Sequence, residues 1–115
     1  MRVEQRMSQL AIVRHGSYAP DRGMLTVPGI YQMKRLGRRL LETRKTDQGT
    51  TLILSSTAPR ALASSEVLSG VLQAPIEEHA ELWSDGQHPV RLRAAYDVIQ
   101  EAGRRADLVI AVTHL

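Results

Sequence analysis

Three short apolar runs, Leu10–Val13, Leu52–Leu54 and Leu108–Val112, limit what this chain can fold into more than any other feature. Their length and β-branched content favour buried strands, and near-continuous apolarity suits a parallel sheet covered on both faces. Helical periodicity fills the spaces between them. Val27–Thr43 places Ile30, Met33, Leu36 and Leu40 on one face, with Thr26 available as N-cap and Pro28 in the first turn. Pro59–Leu72 repeats the pattern, with Ser56 or Thr57 as the expected cap; Gly70 falls in its last turn and leaves its end open. A third helix is expected over Val90–Ala102, with Ala95, Val98, Ile99 and Ala102 inward and Gly103 near its end, and Ile76–His79 reads as a short fourth strand. This order predicts an α/β fold with a mostly parallel sheet, helices on both faces and right-handed crossovers.

Composition narrows the function. A chain of 115 residues, 43% apolar, suits one domain with one core. The absence of cysteine excludes a disulfide framework, a thiolate zinc site and a cysteine nucleophile, and with them cysteine-based phosphatases and proteases. No apolar run approaches the ~20 residues of a membrane span, and the first residues lack an apolar leader core, so a cytoplasmic protein with no membrane partner is expected. The formal charge is +3, and Lys34, Arg35, Arg38, Arg39, Arg44 and Lys45 form one basic stretch. It reads as a solvated helix face. With three Tyr and one Trp there is no base-stacking platform, so nucleic acid is not an expected partner.

The residues just beyond each strand carry the chemistry. The first run ends in Arg14-His15-Gly16, the second in Ser55-Ser56 with Arg60 one turn on, and the last in Thr113-His114. Ligands of open parallel sheets bind beyond the carboxyl ends of the strands, so adjacent strands would aim two His and two Arg at one crevice. Such a group suits a tetrahedral oxyanion: Arg forks match phosphate oxygens, and the start of the helix near Pro59 would add backbone donors. Fixed positive charges should keep His15 neutral and nucleophilic, able to attack a phosphoryl group in line. Arg14, Arg60 and His114 would then stabilise the equatorial oxygens, and Gly16 would let the backbone pass close to the ligand. Like charge around the two His argues against a metal.

These residues carry a resemblance. Val13-Arg14-His15-Gly16 resembles the motif of the histidine phosphatase superfamily, the phosphoglycerate-mutase-like fold. Leu25-Thr26-Val27-Pro28-Gly29 resembles that family's L-T-x-x-G helix start, Ser55 to Ala61 its S-S-x-x-x-R-A stretch, and Val112-Thr113-His114 its late strand. Glu81-Leu82-Trp83 with Asp85-Gly86, and the final His114-Leu115, are most similar to the short bacterial phosphohistidine phosphatases. The resemblance implies a three-layer α/β sandwich and a metal-independent phosphatase without cofactor that acts on protein phosphohistidine. It makes His15 the phosphorylated nucleophile, with Arg14, Arg60 and His114 as the phosphate pocket and Gly16 and Ser17 beside it. The short connection after Leu72 leaves little room for a substrate cap, which argues against a mutase.

Glu81 is the candidate general acid, with Asp85 a further candidate and a solvated turn the other reading of Glu81. An alkoxide leaving group needs such an acid, whereas phosphoimidazole releases a base whose conjugate acid has a pKa of about 6.5. A site without a strong acid therefore favours phosphohistidine over alkyl phosphates. His79 and His88 read as surface groups. Trp83 reads as packing over the loop after Ile76–His79, or as lining the substrate rim. Ser55, Ser56 and Thr57 lack the G-x-S-x-G elbow of a serine nucleophile.

The chain stops one residue after His114, where the family continues with a further helix and strand. The expectation is therefore a C-terminally truncated domain over residues 7–115, preceded by a disordered extension over residues 1–6. The strand Leu108–Val112 would lack its usual cover and favour self-association. The expected partner is a phosphorylated protein or a small phosphorylated substrate. Two alternatives stay open: a small-molecule phosphomonoesterase on the same site, and a truncated, non-catalytic phosphate-binding or interaction module.

Overall fold

Along the chain run β1 (Gln9–Arg14), β2 (Tyr18–Ala19), β3 (Met24–Leu25), α1 (Val27–Thr43), β4 (Thr51–Ser55), α2 (Pro59–Leu72), β5 (Ile76–Glu78), a 3-10 turn (Ala80–Leu82), α3 (Pro89–Gly103) and β6 (Leu108–Thr113). The computed structural model describes residues 9–19, 24–44, 49–83 and 89–114, with the backbone alone at 89–91. The expectations placed on residues 1–6, Met7, Asp85, Gly86, His88 and Leu115 lie outside the described residues.

All three apolar runs are strands of one parallel sheet, in the order β1-β6-β4-β5. Side chains alternate across it. Val13, Ile53, Leu108, Ile110 and Val112 meet Met33 of α1 and Ala61, Leu68 and Leu72 of α2 on one face. Leu52, Leu54 and Val109 meet Leu82 and, from α3, Ala95 and Ala102 on the other, with Val98 and Ile99 packed against them. The result is the expected three-layer sandwich. Asp107 ties two strand starts together, its carboxylate accepting from the Thr50 N–H at 2.8 Å and from the Thr50 hydroxyl at 3.1 Å.

Local structure obeys local chemistry with two exceptions. Thr26 caps α1 as expected, its hydroxyl accepting from Gly29 N–H at 3.1 Å, and Pro28 sits in the first turn where no N–H is needed. The cap of α2, however, is Ala58, which has no side-chain bond to offer; Ser56 Oγ instead accepts from the Ala58 N–H at 3.3 Å. That helix ends at Leu72, as the expected range has it, but on a non-glycine: Gln73 takes the left-handed conformation (φ 54°) and returns its N–H to Ser69 O. The antiparallel pair β2–β3 has no clear signal in the sequence, being only two residues on each side. Among the described residues, no helix is long and apolar enough to cross a membrane.

One expectation is corrected by strand order. Leu108–Val112 is not an uncovered strand: β6 lies between β1 and β4, and every residue from Leu108 to Thr113 is buried. The incompletely covered strand is β1, at the sheet edge. Leu10 and Ile12 point to the face that α3 covers elsewhere, beside Val109 and Ala111, and stay 50% and 56% exposed. The premise that an open C-terminal strand drives self-association therefore falls.

Candidate active site

Strand register builds the site. Arg14 pairs with Thr113 and Ser55 with Val112, so the chain leaves three neighbouring strands at the same level. His15 N–H donates to Thr113 O (3.3 Å) and Ser56 N–H to Val112 O (3.0 Å), holding the first residue beyond each strand in line. The rings of His15 and His114 meet edge to face, with centroids 5.2 Å apart. The two His and Arg60 are thus brought together as the sequence predicts.

Arg60 is the hub. Its Nε donates to His15 Nε2 at 3.2 Å, and its Nη2 lies 3.4 Å from His114 Nδ1. A guanidinium only donates, so both imidazole nitrogens facing it accept. His15 therefore carries its proton on Nδ1, which donates to Gly16 O at 3.0 Å, and its Nε2 lone pair is the one that accepts from Arg60. His114 carries its proton on Nε2 and donates to Ser56 Oγ at 2.7 Å. Burial, reinforced by the charges of Arg60, His15 and Arg14, pushes His114 down to about 4, so it is neutral near pH 7.

This has a measurable consequence for stability. Between about 6.5 and about 4 the unfolded chain binds a proton that folded His114 refuses. Stability contributed here is complete above the unfolded value and falls as pH drops through that window. Denaturant titrations from pH 7 to pH 4 should show this loss, and His114→Asn should flatten it. An unchanged slope in the variant would contradict the assignment.

Two aromatic rings flank the guanidinium. Tyr18 lies 4.9 Å from Arg60 Cζ and packs edge-on against His15, with centroids 5.1 Å apart. Trp83 lies 5.9 Å from Arg60 Cζ and stacks on His114 at 5.7 Å. Of its two readings, Trp83 takes the second: it reaches from the segment after β5 to Arg60 and His114. Sequence reasoning passes over Tyr18 altogether; its place just after the Arg-His-Gly run, in a chain with few aromatics, is the available signal.

The remaining site residues divide. Arg14, His15, Gly16, Ser17, Tyr18 and Gln32 line an open cleft of about 430 Å³. Arg14 is exposed at this cleft. Ser17 directs both its N–H (3.1 Å) and its hydroxyl (3.3 Å) to Gln32 Oε1. Gly16 has a reason within the fold as well. A Cβ there would lie 2.8 Å from Gly29 O and 3.2 Å from Met33 Cγ, so α1 itself demands the glycine. Gly29 is held as tightly, since a Cβ would meet Ser17 O at 2.1 Å.

The start of α2 supplies fewer backbone donors than expected: Pro59 has none, and the N–H groups of Ala58 and Ala61 bond Ser56 Oγ and Ala58 O. Glu81 is not brought to His15. Its exposed carboxylate lies 3.7 Å from His79 Nδ1, and it lines an adjoining cleft with Ala80, Trp83 and Ala94. His79 is a structural surface group, bonded to Glu77 at 3.2 Å. Arg105 also grips Glu77 and, with His79, holds its carboxyl at about 2.

Ser64 is the positioning residue the sequence does not reveal. Fully buried on α2, its hydroxyl accepts from Gly16 N–H at 2.9 Å and donates to Arg60 O at 2.8 Å. One side chain thus joins the His15 loop to the turn that carries Arg60. Ser64→Ala leaves the buried Gly16 N–H without its acceptor and should cost about 1–3 kcal/mol in denaturant unfolding. A variant as stable as the parent would show that another acceptor takes over.

Parallel strands that deliver two imidazoles to one guanidinium lie here in a sandwich whose topology has counterparts among solved structures. The chain has the phosphoglycerate-mutase-like fold. The particular structures it resembles bear this out. The protein histidine phosphatase SixA, solved in complex with tungstate, is 28% identical (TM-score 0.67), the match covering 93% of this chain and 69% of that one. SixA from Agrobacterium tumefaciens is 18% identical (TM-score 0.65; 93% and 69% covered). Phosphoglycerate mutase from Plasmodium falciparum is 16% identical (TM-score 0.55; 93% and 67% covered). The chain spans 59% of the length of one further solved structure that it resembles and 75% of another. No protein-family model and no curated protein matches it.

Proposed function

We propose that this chain is a phosphatase that hydrolyses phosphohistidine on proteins through a phospho-His15 intermediate. The observation that carries the reading is the pair of contacts of the His15 ring: Nδ1 lies 3.0 Å from Gly16 O, and Nε2 lies 3.2 Å from the guanidinium that would hold a phosphoryl group, which fits a ring with its proton on Nδ1 and its lone pair on Nε2. The likeness to SixA, a protein histidine phosphatase solved in complex with the tetrahedral oxyanion tungstate, supports a phosphoryl group as the ligand.

In the first step Nε2 attacks phosphorus as the P–N bond to the substrate imidazole breaks. The bonding pair returns to the substrate nitrogen, which leaves neutral when its other ring nitrogen is protonated. Arg60, released from His15 Nε2, and Arg14 neutralise the phosphoryl oxygens. Water then attacks phospho-His15, forming the new P–O bond as the P–Nε2 pair returns to the ring, and loses its proton to solvent. No carboxylic acid is needed for this leaving group, consistent with Glu81 lying in the neighbouring cleft.

The test is to mix the chain with a phosphohistidine-bearing protein. Inorganic phosphate should appear, and an alkaline quench should trap an acid-labile phosphate on the peptide that contains His15. Release from alkyl phosphates alone, abolished in Glu81→Gln, would replace this reading with a phosphomonoesterase. Phosphate binding without release from either substrate would replace it with a binding module.

A further inference from the structure

The reaction cleft does not end at Ser17. Gln32, whose Oε1 receives both Ser17 donors, also lines a second groove of about 390 Å³ along α1, with Pro28, Tyr31, Arg35, Leu36 and Arg39. One residue thus forms the wall shared by the two. The groove mixes an apolar base with two guanidiniums, and Tyr31 is 66% exposed over it.

Its charges are not balanced from within. α1 carries Lys34, Arg35, Arg38 and Arg39 against Glu42 alone, an excess equal to the net charge of the entire chain. Lys34 leans over the Tyr31 ring at 6.0 Å, whereas Arg35 and Arg39, one turn apart, have no carboxylate partner among the described residues. Like charges at this spacing disfavour a helix. By contrast, Arg93 on α3 is matched by Asp97 one turn on, and Arg105 by Glu101.

From this groove, and resting on the phosphohistidine-phosphatase reading, we infer that α1 is the docking surface for an acidic segment of the protein substrate that flanks the phosphorylated residue. A phosphorylated side chain in the cleft places its neighbours across Gln32 and onto α1. Carboxylates there would meet Arg35 and Arg39, and an apolar or aromatic residue would cover Tyr31, Pro28 and Leu36. The cleft would then select the phosphate and α1 the protein that bears it.

Two measurements on the intact chain test this. Fluorescence anisotropy with a labelled Glu- and Leu-rich peptide should show binding that weakens with salt, and Arg35→Glu/Arg39→Glu should weaken it at least about tenfold. With a phosphohistidine protein whose flank is acidic, the same variant should raise KM about tenfold and leave kcat, and the turnover of phosphoramidate, unchanged. Peptide binding equal in parent and variant would overturn the inference. So would tighter binding of single-stranded DNA than of the peptide, or a dimer dispersed by the double variant with no peptide bound. Should the chain turn over no substrate, the anisotropy result stands by itself, and only the phosphatase reading fails.

Discussion

His15→Ala should lower phosphate release from a phosphohistidine protein by roughly 10⁴-fold or more, with the fold retained. The ring is partly exposed at the cleft and belongs to neither core cluster, so its loss removes chemistry and little packing. No other described side chain near Arg60 can replace it. His114 presents its accepting nitrogen to Arg60, but Trp83 stacks on its ring and Ser56 holds the other nitrogen. His15→Asn is a sharper version, since it keeps a polar group near Gly16 O without a nucleophilic nitrogen. Release at parental rates from either variant, with near-parental unfolding curves, would remove His15 from the mechanism.

The second large effect is expected at Arg60. Arg60→Ala takes away the group that contacts both imidazoles, and loss of one preorganised donor to a developing oxyanion costs roughly 10²- to 10³-fold in kcat. Arg60→Lys should recover little. An ammonium is a point charge and cannot address His15 and His114 at once, nor offer a planar cation to the Tyr18 and Trp83 rings that lie 4.9 and 5.9 Å from Arg60 Cζ. Arg60→Ala also relieves His114 of its neighbouring charge, so its proton affinity should rise toward the ordinary histidine value in an NMR titration. A lysine variant with parental kcat would mean that charge alone, not fork geometry, stabilises the transition state.

Whatever depends on local order is legible in the chain. The apolar runs, the α1 and α2 ranges, the strand-end positions of His15 and His114 and the place of Arg60 in the first turn of α2 come from periodicity and from the rule that parallel strands open onto one crevice. The features that escape such a reading depend on distant partners. Ser64 is one of several serines in α2 until the helix packs against Gly16, and the glycine at 29 declares its purpose only when Ser17 O arrives beside it. Trp83 stacks on a residue that joins it only through the sheet. The exposure of Leu10 and Ile12 is likewise a property of strand order: the same residues on an interior strand would be covered.

That strand order also has a kinetic side. Among the described residues β1 pairs with β6 alone, so it has no partner in the sheet until β6 has been made. The β4–β5 pairing and the α1–α2 packing join segments much nearer in sequence and can assemble earlier; the β1–β6 ladder closes a loop of nearly the whole chain. Closure entropy makes such contacts slow to form. His15 and His114 sit at the open end of that ladder, so they come together only as it closes. On a ribosome the chain would emerge with its helices forming and His15 still apart from His114, the two meeting only after residue 114 has cleared the exit tunnel.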